Sequence, residues 1–385
     1  MVNRAGRFVQ QQGGPEGYAA FIPAPLPPSP PIELDDELSR LTESAAYALG
    51  KLCGVSSRIE PDRLLYMYVR KEAVLSSQIE GTQSTLSDLL EYENSGAAGT
   101  PIDDVREVSR YVEALMHAVD QIKSGSLPLS LRLIRQVHAR LMGEERGNQQ
   151  TPGEFRRSQN WVGGTRPDNA TYVPPPPHEV MPALDNLEKF LHDQYGRTPT
   201  LLKAALVHAQ FETIHPFLDG NGRVGRLLIS LILVMEGALP QPFFYISLYL
   251  KRNRADYYDA LQRIRTHGDW EAWLRFFLIG VEAVANEATE TAEALYDLFD
   301  RDRARVAALG RAAPSAIKVY EQLKRQVIVG PTQAADAIGV TFPTAVAALS
   351  RLQKLGIARE ITGKKRGRLY VYTEQLKLLD EGVKG

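Results

Sequence analysis

Two strongly apolar helical stretches, LLKAALVHAQFETI at 201–214 and LLISLILVMEG at 227–237, flank a polar segment, His215 to Arg226, that holds three glycines. Apolar residues on nearly every face mark helices buried all round, so both stretches belong inside a core built largely from other helices. Leu227–Met235 is about half of the ~18 residues a membrane-spanning helix requires, which predicts a buried helix and no membrane partner. A polar loop held between two buried helices needs a reason, and that reason is sought in its chemistry.

Around this centre the periodicity is mainly helical. Residues 1–32 close on PAPLPPSPP, which reads as a polyproline-like strap. From Asp35 onward apolar residues recur at helical spacing, with Pro61 at a helix start, and the pattern continues through 101–142. Proline and glycine cluster at 151–178 around two strand-like pieces, NWVGG and ATYVP, which predict a hairpin or flap at Asn160–Val173. The segment 314–385 runs helix, short helix, turn, helix, then IAREI and RLYVY around a basic TGKKRG turn, the order of a winged helix-turn-helix. Three regions follow: 1–100 helical with the strap, 101–300 central, and 314–385. The 385 residues are ample for that division.

Formal net charge is -1, so no global field recruits nucleic acid or anionic lipid. The single cysteine, Cys53, excludes an intramolecular disulfide, and the first residues lack the apolar run of a signal peptide, which predicts a cytoplasmic protein.

Within the central loop, Gly220-Asn221-Gly222-Arg223-Val224-Gly225 matches G-x-G-x-x-G. That dinucleotide fingerprint requires a preceding strand and a βαβ unit, and here a helix precedes. The physics of the loop survives that rejection. Glycines at 220, 222 and 225 allow a close backbone approach, and a helix beginning near Arg223 offers unpaired N–H groups and the positive end of its dipole, which suits phosphate. Arg223 and Arg226 add bidentate donors, Asp219 can reach a Mg²⁺ that bridges phosphates, and His215 can take a proton at neutral pH. The bland alternative makes Gly220–Gly225 a structural turn and His215 a helix cap. His208 and Glu212 lack H-E-x-x-H spacing with His215, so His208 reads as a packed or capping residue.

The loop closely resembles the motif of the Fic family, H-x-F-x-[DE]-G-N-G-R-x-x-R, with His215, Phe217, Asp219, Gly220, Asn221, Gly222, Arg223 and Arg226 at every fixed position. The resemblance spans roughly 35–290. It implies a mainly α fold, a Fic-type helical bundle with a small β-hairpin flap, and a protein adenylyltransferase. In that activity His215 deprotonates a Ser, Thr or Tyr hydroxyl of another protein or of this one, which attacks the α-phosphate of ATP. Pyrophosphate leaves with Mg²⁺ held by Asp219, and ATP rests on His215, Gly220–Arg226 and Glu80. The flap then holds the target by strand addition.

Ser76-Ser77-Gln78-Ile79-Glu80-Gly81 ends a helix, where a carboxylate meets the unfavourable end of the dipole. In similar Fic proteins [ST]-x-x-x-E-[GN] is inhibitory, which makes Ser76, Glu80 and Gly81 the inhibitory residues and pairs Glu80 with Arg226. The plain alternative is a solvated helix-end glutamate. The same carboxylate could activate water for AMP removal. Tyr257 and Tyr258 either line the adenine pocket or pack the helix, and Trp270 and Trp273 read as core. In 314–385, TFPTAVAALSRLQKLG is the expected recognition helix and Lys364, Lys365, Arg366 and Arg368 the wing tip, which fits DNA phosphates or, equally, protein docking or homodimer formation. Two competing functions stand beside AMP transfer: a transcription regulator that only senses nucleotide, and transfer of phosphate or another nucleotide part.

Overall fold

The computed structural model describes residues 4–12, 17–57, 61–95, 102–143, 151–192 and 198–381. In chain order its strands are β1 Gly6–Gln11, β2 Tyr18–Pro23, β3 Ile328–Val329, β4 Ala358–Glu360 and β5 Tyr370–Tyr372. The helices of the first half are α1 Asp36–Ser56, α2 Pro61–Ile79, α3 Leu86–Ser95, α4 Ile102–Lys123, α5 Leu131–Met142, α6 Pro177–His192 and α7 Thr200–Ile214. They are followed by α8 Asn221–Met235, α9 Ser247–Arg252, α10 Arg254–His267, α11 Trp270–Ala307, α12 Ala313–Gln326, α13 Pro331–Ile338, α14 Phe342–Lys354 and α15 Thr373–Asp380. The fold is mainly helical with two small antiparallel sheets, and no helix among the described residues is long and apolar enough to cross a membrane.

By packing, the chain divides into two compact units, neither continuous in sequence. The first comprises Met1–Gly50, Arg110–Pro242 and Tyr249–Val284. At its centre α7 lies against α8, and every residue from Leu201 to Ile214 is buried, as the all-round apolar pattern requires. The two helices approach closely because residue 225 is glycine: a Cβ there would stand 2.4 Å from Glu212 Oε1. Ser130 caps α5 by accepting from the Leu133 N–H, and Glu188 of α6 accepts from the Leu131 N–H at 2.7 Å, which ties the two helices together.

Two parts of this unit depart from the sequence expectation. The N-terminal strap also contains a hairpin, with Gly6 opposite Pro23 and Gln11 opposite Tyr18, and the Phe21 N–H of β2 donates to the Val173 carbonyl. Its alternation is short and carries several polar glutamines, so the proline run outweighs it in the sequence. The flap expected at 160–173 is held across by a single bridge, Val162 to Tyr172, around a 3-10 turn at Pro167–Asn169. Its glycines at 163 and 164 adopt positive φ, which bends the strand-like pieces apart after one pair.

The second unit comprises Lys51–Ser109, Phe243–Leu248 and Ala285–Gly385. Its three-stranded sheet runs β3-β5-β4, with Ile328 opposite Val371 and Ala358 opposite Tyr372. Helices α12 and α14 pack against it, and α13 packs on those two helices. Helix α2 carries two buried charges: Lys71 Nζ donates to the Glu381 carbonyl at 3.1 Å, and Glu72 accepts from the backbone N–H and the hydroxyl of Ser247. Burial without such partners would cost each charge several kcal/mol, so these contacts fix the face that α2 presents.

Candidate active site

A buried helix end leaves four carbonyls in need of donors, and at the end of α7 each is met by a side chain. Arg265 donates to the Glu212 carbonyl at 3.3 Å and the Tyr172 hydroxyl to that of Thr213 at 2.5 Å. Arg156 reaches the carbonyls of Ile214 at 3.4 Å and His215 at 2.9 Å, and also donates to Ser158 and Pro175. Its own burial pulls the guanidinium down to about 10, still charged at neutral pH. The helix stops because His215 turns left-handed, with φ 51° and ψ 59°. A non-glycine residue held there costs on the order of 1 kcal/mol and persists only where its surroundings impose it. His215 Nδ1 lies 3.4 Å from the Glu212 carbonyl and 4.0 Å from that residue's carboxylate. This leaves Nε2 as the nitrogen turned from the helix.

The following turn is held by Asn221, whose buried amide accepts from the Phe217 N–H at 2.8 Å and donates to the Phe217 carbonyl at 2.9 Å. Asn160 donates to the same carbonyl at 2.7 Å. Phe217 stacks on the His138 ring with centroids 3.7 Å apart and planes 4° from parallel. His138 accepts from the Gly153 N–H on Nδ1 and meets the Asp219 carbonyl with Nε2 at 3.1 Å. Because Nδ1 accepts, Nε2 carries the proton, and the neutral ring bridges two loops. Burial lowers His138 to about 4, against a smaller upward pull from that carbonyl bond. Gly220 is left-handed at φ 76°, and a Cβ on it would stand 2.9 Å from Met142 Sδ.

From Asn221 the chain enters α8, whose first N–H groups and positive dipole end face the turn. The Asp219 carboxylate is half-exposed; one oxygen accepts from the Gly220 N–H and the other lies 3.7 Å from Arg223. Arg223, Val224, Gly225 and Arg226 are buried and Gly222 is half-buried. What a side chain at 225 would meet is Glu212, so glycine at that position serves the packing of α8 on α7. Among the described residues no group of three or more His, Cys, Asp or Glu could hold a metal ion. The half-exposed Asp219 nevertheless fits Mg²⁺, which binds through one or two carboxylates plus substrate phosphates.

Tyr257 is 1% exposed, its hydroxyl meets His208 Nε2 at 2.9 Å, and its ring packs with Trp273. Tyr257 therefore occupies the helix-packing position, and Tyr258 is the one that reaches solvent. His208 is a packed residue, its pKa lowered to about 4 by burial.

In the second unit Ser76 and Ser77 are wholly buried and Glu80 is exposed just past the end of α2. The Glu80 N–H donates to the Ser77 carbonyl at 3.0 Å, and Gly81, at φ 109°, turns the chain toward Ser84, whose carbonyl accepts from Gln78.

The structure thus gathers His215, Asp219, Gly220, Asn221 and Arg223 about one turn, with Arg226 buried further along α8. It adds three residues that sequence reasoning missed: His138, Arg156 and Asn160. Only His138 left a signal, as a histidine on the buried face of an otherwise amphipathic helix.

A Fic/DOC family N-terminal region matches residues 39–120 and a Fic/DOC family domain matches residues 128–233, so the two take in Ser76–Gly81 and His215–Arg226. The protein adenylyltransferase Fic of Drosophila willistoni is 30% identical over 201 residues, 51% of this chain and 37% of that protein. Its namesake from Aedes aegypti is 31% identical over 179 residues, 46% of this chain and 33% of that protein. The chain spans about a third of the length of these curated relatives. A solved Fic family protein from Desulfovibrio desulfuricans shares the fold with a TM-score of 0.58, over 89% of this chain and 97% of that one, at 18% identity.

Proposed function

This chain belongs to the Fic/DOC family, and on that premise we propose that it transfers AMP from ATP to a hydroxyl of a protein. The observation that carries the proposal is the strained His215 turn, with Nδ1 facing Glu212 and Nε2 turned away from the helix, beside the start of α8. In the proposed step Nε2 accepts the proton of the target hydroxyl as its oxygen attacks the α-phosphorus. The bond to the bridging oxygen breaks and pyrophosphate leaves. The phosphate chain rests on the N–H groups of Asn221–Arg223, with Arg223 and Arg226 neutralising its charge. Asp219 would hold Mg²⁺, whose contribution is to neutralise charge on the departing phosphates.

Glu80, placed by the inhibitory pattern, pairs with Arg226 in the resting protein and so withholds that arginine from ATP. Its support is the motif and the place of Glu80 just past the C-terminal end of α2, where a carboxylate calls for a cation. We read 314–385 as a winged helix. A regulator that merely senses nucleotide gives the strained His215 no task.

The test is α-labelled ATP. Glu80→Gly protein is expected to label itself or a protein in a lysate, at least about tenfold faster than the unaltered chain. Adding His215→Ala should reduce labelling by about 10²-fold or more, and γ-labelled ATP should transfer nothing. Equal labelling by the doubly substituted protein would refute the assignment.

A further inference from the structure

Between α5, the start of α6 and the segment 154–157 lies a cavity of about 600 Å³. A second, of about 460 Å³, shares Glu154, Phe155 and Arg157 with it and extends to Leu218, inside the His215–Arg226 loop. Together they form a cleft that begins beside the reacting turn. Its wall carries exposed Arg132, Arg135, Arg157 and His178, against one carboxylate, Glu154. In a chain with 45 lysines and arginines against 46 acids, that local excess stands out. Glu154 is engaged by Arg135, which also donates to the Gly153 carbonyl at 2.7 Å, while Arg157 approaches Glu154 only to 4.0 Å. Phe155 and Met181, the latter 44% exposed, supply apolar lining.

The lining is physically continuous with the turn. The Phe155 ring packs on Phe217 with centroids 5.1 Å apart, and the Arg135 guanidinium lies 5.9 Å above Phe155. Arg156, between Phe155 and Arg157, is the residue that holds the carbonyls of Ile214 and His215. The cleft is thus tied through Phe155, Arg156 and Leu218 to the turn that carries His215.

Resting on the proposed AMP transfer, we propose that this cleft binds an acidic segment of the target protein and is the determinant of which hydroxyl is modified. Exposed arginines on a half-apolar lining recognise carboxylates flanked by apolar side chains. The single bridge of the flap, by contrast, pairs main chain and reads little sequence. Nucleic acid is a poorer occupant, because the lining offers a single aromatic ring, Phe155, which already packs with Phe217 and Arg135, where single strands are held by a series of stacking rings.

The experiment uses fluorescein-labelled peptides with one threonine and a glutamate run beside it, and controls in which each glutamate is glutamine. Fluorescence anisotropy with the full chain should show the acidic peptide binding at least about tenfold more tightly, with the difference shrinking as salt rises. Arg132→Glu with Arg157→Glu should erase that difference while leaving the KM for ATP unchanged, and the milder Arg132→Gln with Arg157→Gln should leave part of it. Equal binding of both peptides, a preference that survives charge reversal, or tighter binding of an oligothymidylate of the same charge would overturn the cleft. Binding is read without transfer, so the two readings fail separately. Arginine-dependent binding with no movement of α-label by the Glu80→Gly protein supports the cleft and sinks AMP transfer, whereas label passing equally to both peptides sinks the cleft alone.

Discussion

The turn at 212–221 and the flap at 160–173 touch each other in the same compact unit, yet they are held in opposite ways. Every carbonyl from Glu212 to His215 accepts from a side chain, and Phe217 is fixed at both its N–H and its carbonyl by Asn221. The flap is joined across by one bridge, and Trp161 and Val162 lie 39% and 36% exposed. Chemistry at phosphorus needs groups fixed to fractions of an ångström, whereas a surface that accepts an incoming strand must keep its own pairing groups available. If the chain transfers AMP as proposed, the contrast between over-determined and under-determined backbone is a division of labour, and it can be attacked from either side.

The largest effect expected comes from acid. His138 and His208 are both buried and held near pKa 4, while in the unfolded chain each titrates near 6.5. Between those values the unfolded state binds more protons than the native one, so stability present above pH 6.5 is lost as pH falls toward 4. The loss is on the order of 3 kcal/mol for each ring. Urea unfolding at a series of pH values measures it. His138→Gln keeps an acceptor for Gly153 and a donor for Asp219 but cannot titrate, so about half of the acid loss should vanish in that variant. An unchanged pH slope in His138→Gln would mean that the bridge to the turn is not held by a neutral ring.

A smaller effect separates the two asparagines of the turn. The Phe217 carbonyl has two donors, from Asn160 and Asn221, but its N–H has the single acceptor Asn221. Asn221→Ala should therefore leave a buried N–H unsatisfied and destabilise by about 1–3 kcal/mol, whereas Asn160→Ala should lose about 1 kcal/mol or less. Thermal or urea unfolding of the two variants gives the comparison. Equal losses would show that Asn160 carries more of the turn than the geometry indicates.

How much of this was legible in the sequence follows from how far each group acts along the chain. His215, Asp219, Asn221 and Arg223 act on backbone or ligand within a few residues of themselves, so spacing alone brought them together. Arg156 and His138 act across 59 and 81 residues, and no local pattern announces a partner that distant. The all-round burial of α7 was readable because a helix with no polar face has only one place to go. The reason for glycine at 225 was not, since a contact with Glu212 depends on how two helices cross. The N-terminal hairpin was hidden for a different cause: its six-residue strands, the first ending in two glutamines, give a weaker signal than the proline run that follows them.

The smallest stability effect belongs to the flap, and it tests the other half of the contrast. Val162 donates to the Tyr172 carbonyl at 2.8 Å and accepts in return at 3.1 Å, and among the described residues no other backbone-to-backbone bond pairs the two strand-like pieces. Val162→Pro removes the donor and sets the ring against the Tyr172 carbonyl, so the bridge opens while the Val162 carbonyl remains. Unfolding stability should change by less than about 1 kcal/mol, because water replaces the lost partner at so exposed a site. Use of a protein target should fall much further, through KM with kcat preserved, because an incoming strand loses the ordered edge on which it pairs. A large loss of stability with unaltered target use would reverse the comparison, making the bridge part of the scaffold that holds Tyr172 against α7.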